Sequence, residues 1–252
     1  MLFRSLALST TNVADAGKLA VVGIAFTLAG MVLSALAQPL FRLSRPAFAA
    51  CFQCGFRFNT YVALAAASRL GGAEGVALIS ILIGVLVPIV NVAAVAMLAR
   101  ERGARIAAEV ARNPLVIACV AGIVWNVARL PLPALAGRIV ELLSSAALPL
   151  GLLAVGAGLR FEHGALPWPA FAWWSGVKLA ALPTIALILA DAARLSPLER
   201  QIAVIMAAVP TAPSAYILAV QMKGAGSPVA LLISGGTLLA AVTLPLWIAV
   251  IA

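Results

Sequence analysis

Acidic residues are scarce in this chain. Its 252 residues include eight aspartates and glutamates against 17 lysines and arginines, and charged residues are only 10% of the total. A water-solvated domain carries about a quarter, so a soluble globule is excluded. Histidine occurs once, at His163 in a loop, which excludes a histidine-rich metal site. The three cysteines, Cys51, Cys54 and Cys119, all lie in apolar context. Cys51 and Cys54 have metal-like spacing, but no second pair or neighbouring histidine completes a site, so they read as small packed hydrophobes. No histidine or aspartate pair lies at depth, so an enzyme working inside the bilayer would lack its base or paired acid. Neither a catalytic residue nor a metal or cofactor is expected. The net charge of +9 does not point to nucleic acid. The bases sit between apolar runs, with no basic aromatic surface, and face lipid headgroups instead.

What the chain has in excess is hydrocarbon. It is 64% hydrophobic, with mean hydropathy +1.12. At ~20 residues per crossing, eight spans are expected, at 16–38, 47–68, 74–98, 114–129, 139–159, 168–190, 201–221 and 228–251. The start, Met1-Leu2-Phe3-Arg4, has too short an apolar run for a signal peptide. The longest polar connection runs from Arg100 to Asn113 and is rich in arginine, which favours its lying in the cytoplasm. It divides the chain into a three-span piece, 1–99, a linker, 100–113, and a five-span piece, 114–252. Both ends then lie outside.

One span is interrupted. Pro210-Thr211-Ala212-Pro213 lies in the middle of the apolar run from Ile202 to Val220. Two prolines remove backbone donors where no water replaces them, and such a break is tolerated only inside protein or beside a cavity. A second stretch echoes it. Asn59-Thr60-Tyr61-Val62-Ala63-Leu64 resembles Ser214-Ala215-Tyr216-Ile217-Leu218-Ala219, and each is followed by a glycine-containing turn and a further span holding Pro88 or Pro245. The echo falls in the second of three spans and the fourth of five. If two spans are missing from the front, both pieces are five-span units. Five is odd, so the units enter the membrane from opposite faces and their broken helices cross near the midplane.

Polar groups at depth are few. Lys178 lies about ten residues into its span, where a charge costs at least ~2.5–3.5 kcal/mol. It is a counter-charge for an anion, a lock for a broken helix end, or the partner of a carboxylate. Pro183 is placed to open the same helix further. Arg57 reaches either substrate or headgroups. Asn59, Thr60, Thr211 and Ser214 can bond a ligand or the freed backbone. Tyr61 and Tyr216 are the only tyrosines and both sit at the echo, so they flank a bound organic ion or pack in the core. Glu141 and Asp191 read as solvated rim acids, and Asn91 and Asn126 as polar glue between helices. Runs of small residues, among them Gly151, Gly156, Gly158, Gly235 and Gly236, fit close helix packing. Broken helices present unpaired N–H groups. With Lys178 nearby and no convincingly deep acid, the midplane favours a small carboxylate over a cation.

Several motifs together resemble the auxin efflux carrier family. They are Asn59-Thr60-Tyr61 through Gly71-Gly72-Ala73-Glu74-Gly75 to Pro88-Ile89-Val90-Asn91-Val92, and Arg112-Asn113-Pro114-Leu115. Ser145-Ala146-Ala147-Leu148-Pro149-Leu150 through Gly156-Ala157-Gly158-Leu159 follows, then Val177-Lys178-Leu179 with Pro183, and Pro210 to Tyr216. The resemblance covers nearly the whole chain. It implies an all-α polytopic fold of two inverted five-helix repeats, with a scaffold part and a transport part that holds crossed broken helices. Bacterial members are described as permeases for malate and similar acids, and plant relatives export auxin. The implied activity is secondary transport of a small organic anion by alternating access, with a channel or a ligand-sensing subunit as the alternative. Carried over by position, the crossing residues are Asn59, Thr60 and Tyr61 on one helix. They are Pro210, Thr211, Ala212, Pro213 and Ser214 on the other. A coupling proton or sodium ion and a homodimer stay open, and the expected location is the bacterial inner membrane. Two departures stand out. Met1 to Ala7 looks like the middle of the family's second helix, so the first repeat is truncated. The region around Asn59 lacks the proline that many relatives have, so a milder break is expected there.

Overall fold

The computed structural model describes residues 13–101, 133–143 and 166–251, with isolated positions elsewhere between 107 and 146. Helix accounts for 87% of the described residues and none of them is in a strand. Four stretches are long and apolar enough to cross a membrane: 17–41, 45–100, 168–192 and 226–251.

The first unit begins with α1 (Val13–Ala35), which runs on into the short α2 (Ala37–Phe41). Arg42 closes it in the left-handed conformation at φ 47° and donates its N–H to the Gln38 carbonyl. Next, α3 (Arg45–Phe52) starts with Pro46 in its first turn, where a missing N–H costs nothing. A 3₁₀ turn, Gln53–Gly55, tightens its end, and the chain is then non-helical up to Asn59. The long α4 (Thr60–Glu101) folds back at Gly71 and Gly72. Gly72 has φ +53°, which suits glycine. Gly75 faces the preceding arm so closely that a Cβ there would lie 2.4 Å from the Ala67 carbonyl oxygen.

The described residues from 166 on also place a broken span between two unbroken ones. Here α5 (Trp168–Gly176) passes through a π turn, Val177–Ala181, into α6 (Leu182–Ala192). Pro183 supplies no N–H to this helix. The Leu179 carbonyl accepts instead from the Trp247 indole at 2.8 Å. A capping box starts α7 (Pro197–Ala208), with Ser196 and Glu199 bonding each other's backbone. The chain leaves helical form from Val209 to Pro213, then forms α8 (Ser214–Gln221) and α9 (Gly226–Ile251).

The two broken spans lie side by side and run antiparallel. Gly71 packs on Leu198, Asn59 bonds Pro210, Gln53 bonds Ala215, and Gly224 approaches Ala50. Two apolar clusters hold them. One surrounds α7, whose residues from Ile202 to Ala208 are completely buried, with Phe26, Leu82 and Leu86 among its neighbours. The other gathers Ala50, Leu98, Trp174, Val229 and Leu232 around Ala215 and Leu218 of α8. Adjacent tryptophans tie the units together. Trp173 donates to the Leu33 carbonyl at 3.0 Å, and Trp174 to the Ser34 hydroxyl at 2.7 Å.

The helices agree with six of the eight expected spans to within a few residues. The other two, 114–129 and 139–159, lie largely outside the described residues, as do most of the 100–113 linker, Cys119, Asn126, His163 and the glycines at 151, 156 and 158. One expectation needs correction. The break at Asn59 is not mild: Phe56 to Asn59 leave helical form as fully as Val209 to Pro213 do. Proline is unnecessary there because groups of the other broken span and of Asn59 itself bond the freed backbone.

Candidate functional site at the helix crossing

The two breaks meet and satisfy each other. The Asn59 N–H donates to the Pro210 carbonyl at 2.8 Å. The Thr211 hydroxyl donates to the Cys54 carbonyl at 2.7 Å, and the Gln53 amide donates to the Ala215 carbonyl at 3.1 Å. Buried backbone groups freed by a break need partners, and each span supplies them to the other.

Side chains finish the helix ends. The Asn59 carboxamide oxygen accepts from the N–H groups of Tyr61 and Val62, capping the second arm of its span. Its Nδ2 is buried without a partner. Lys178 projects from the π turn and donates to the Ala207 carbonyl at 2.5 Å. That carbonyl lies in the last turn of α7, the negative end of the helix dipole. Lys178 therefore locks a broken helix end, one of the roles considered for it. Arg57 is buried, with 4% of its surface exposed. It donates to Gln53 Oε1 and to Asn91 Oδ1, both at 2.6 Å. Asn91 thus joins the second arm of α4 to the break.

The charge balance is lopsided. Among the described residues, the buried polar ones include two bases, Arg57 and Lys178, and no acid. Among the described residues neither base has a carboxylate partner. Asp191 pairs with Arg200 at 2.7 Å and Glu141 with Arg138 at 3.2 Å, all at positions that are at least partly exposed.

A cavity of about 10 Å³ lies beside the crossing, lined by Cys54, Ser175, Lys178, Pro210, Thr211 and Gly236, among others. It has room for roughly one water. The Ser175 hydroxyl is buried there without a partner. Of the expected site residues, Lys178, Pro210 and Thr211 line this cavity and Asn59 joins the crossing through its backbone. Thr60, Tyr61, Pro213, Ser214 and Tyr216 are half-buried and do not line it. Tyr216 packs against Gly226 instead. Gln53 and Ser175 were not expected. A lone amide beside two cysteines in an apolar run, and a serine one turn before a deep lysine, were the available signals.

Residues 105–248, more than half of the chain, match the family model described as membrane transport protein. The chain belongs to this family, that of the auxin efflux carriers. It is a multi-pass integral membrane protein and a transporter by family. No curated protein matches it. The matched stretch includes Lys178, the π turn and the second break, so half of the crossing lies inside it.

Proposed function

We propose that the protein is a secondary carrier for a small organic anion, a carboxylate, working by alternating access at the crossing. The observation that carries this reading is the pair of buried bases, Arg57 and Lys178, at a crossing with no buried acid among the described residues. Two cations out of water need compensation, and an incoming carboxylate supplies it. The Ala207 carbonyl occupies one of the three donors of the Lys178 ammonium, which leaves donors for a ligand. In the conformation described, the cavity holds no more than a water. Substrate entry therefore requires movement around the crossing, as alternating access demands.

In this reading the pieces 1–99 and 114–252 are inverted repeats joined by a cytoplasmic linker at 100–113, and the membrane is the bacterial inner membrane. Substrate meets Asn59, Thr60 and Tyr61 from one side and Pro210, Thr211, Pro213, Ser214 and Tyr216 from the other. A coupling proton or sodium ion and a homodimer are compatible with it. The test is flux of radiolabelled carboxylates into liposomes containing the purified protein. Saturable uptake that disappears in a folded Lys178→Met variant is expected. No saturable uptake of any acid, or undiminished uptake by that variant, overturns the reading. Unsaturable current would mark a channel, and binding without flux a sensor.

A further inference from the structure

We infer that the bases at the linker end of the helices, Arg42, Arg45, Arg100 and Lys223, hold the headgroup of an anionic phospholipid that bridges the outer ends of both broken spans. This is independent of what the protein carries. Arg42 and Arg45 flank the turn between α2 and α3, Arg100 lies in the last turn of α4, and Lys223 lies between α8 and α9. All four residues are exposed. Packing beneath them gathers these turns. Leu43, Leu98 and Met222, each within two positions of a base, belong to one buried cluster. A Cβ on Gly224 would lie 3.0 Å from the Leu98 side chain and 3.6 Å from Ala50 of α3. The bases therefore surround the cap of a single apolar cluster. The arms of the two broken spans, α3 and α8, both end there.

Charge sets this end apart from the other. Among the described residues none of the four bases is in an ion pair, and the nearest acid in sequence is Glu101. The opposite end carries Lys18, Arg69, Arg194 and Arg200, but balances them with Asp15, Glu74, Asp191 and Glu199. Like charges gathered without acids repel one another unless anions sit among them, and a guanidinium grips phosphate oxygens with two parallel N–H bonds. The surroundings fit a lipid better than a free phosphate. Trp168 is 74% exposed and stacks on Phe171, next to Leu166 of the same cluster. An exposed indole settles at the headgroup boundary. Below Arg42, the exposed residues Leu40, Leu36, Val32 and Leu28 follow at intervals of four, which puts them on one helix face. That stripe is about 18 Å long at 1.5 Å per residue, close to the half-thickness of the hydrocarbon core. It is a track for an acyl chain that hangs from the basic site.

The experiment is electron spin resonance of the full chain in phosphatidylcholine bilayers doped with spin-labelled phosphatidylglycerol or spin-labelled phosphatidylcholine, which reads their relative association with the protein. Phosphatidylglycerol is expected to associate at least about fivefold more strongly. Arg42→Gln with Arg45→Gln, and separately Arg100→Gln with Lys223→Gln, are each expected to lower that preference at least about twofold. Neither pair touches the helix crossing, and either one tests the site if the other folds poorly. The control, Lys18→Gln with Arg69→Gln, alters the opposite end and keeps the preference. Equal association of the two lipids with the parent overturns the site. Unchanged preference in both paired variants also overturns it, and so does an equal fall in the control, since any surface base would then serve. Excess glycerol 1-phosphate is expected to leave the preference in place. Its loss marks a soluble phosphate as the occupant and overturns the lipid assignment.

Discussion

The backbone N–H of Asn59 points at the carbonyl of Pro210 across 2.8 Å. These residues sit in different breaks of different spans, and neither group has a partner in its own helix. The crossing is thus two incomplete helices that complete one another. Its stability depends on a handful of bonds that an ordinary transmembrane helix does not need.

Thr211 carries one of them. Thr211→Val keeps the shape and removes the hydroxyl, which leaves the Cys54 carbonyl unsatisfied in a buried place. A loss of about 1–3 kcal/mol is expected, with Thr211→Ser close to the parent. Thermal unfolding in detergent, followed by tryptophan fluorescence, checks the order of the two variants.

Arg57 and Asn91 form a unit. Asn91→Leu takes one acceptor from a buried guanidinium and is expected to cost about 3 kcal/mol or more, because a charge is left short of partners. Arg57→Met alone strands Asn91 and Gln53 and costs less. The double variant should be more stable than the sum of the two losses predicts. Additive losses in a denaturation cycle would mean that the bond carries no coupling.

Proline chemistry made one break legible in the sequence and left the other to analogy. Pro210 and Pro213 announce their interruption outright. Asn59 is marked by the string it shares with the stretch around Tyr216 and by the family resemblance, and the absence of proline suggests a milder break than the one found. The partners that open that break are distant in sequence. Gln53 reaches the carbonyl of Ala215, and a backbone acceptor leaves no mark in the residue code. Lys178 was legible as a buried charge, but its target, the Ala207 carbonyl, was not, for the same reason. The spans themselves were easy because hydrocarbon runs of bilayer length have few other uses.

Gly75 tests the fold-back of α4. Gly75→Ala places a methyl 2.4 Å from the Ala67 carbonyl oxygen, a contact that rigid backbone cannot relieve. The hairpin must splay, and a fall in the unfolding midpoint is expected together with loss of transport. Gly17→Ala is the control, because a Cβ there meets nothing within 4 Å and the residue is exposed, away from the crossing. Equal behaviour of the two variants would contradict the close approach.

Trp247 supplies the Leu179 carbonyl with the donor that Pro183 lacks. Trp247→Phe keeps the ring and removes the donor to the Leu179 carbonyl. The expected cost is about 1 kcal/mol. The turn then re-forms bonds differently around Lys178, so uptake should fall by more than this cost in stability implies. Parallel measurement of melting and flux separates the two effects.

The Thr211–Cys54 bond spans 157 positions of the chain, and this bears on biogenesis. When the first break enters the lipid, the segment that will satisfy it has not been translated. The nascent protein must therefore shelter bare peptide groups, in the translocon or beside a chaperone, until the ribosome has finished most of its work. Ribosome-bound intermediates ending before Pro210 should consequently be the most vulnerable to membrane proteases.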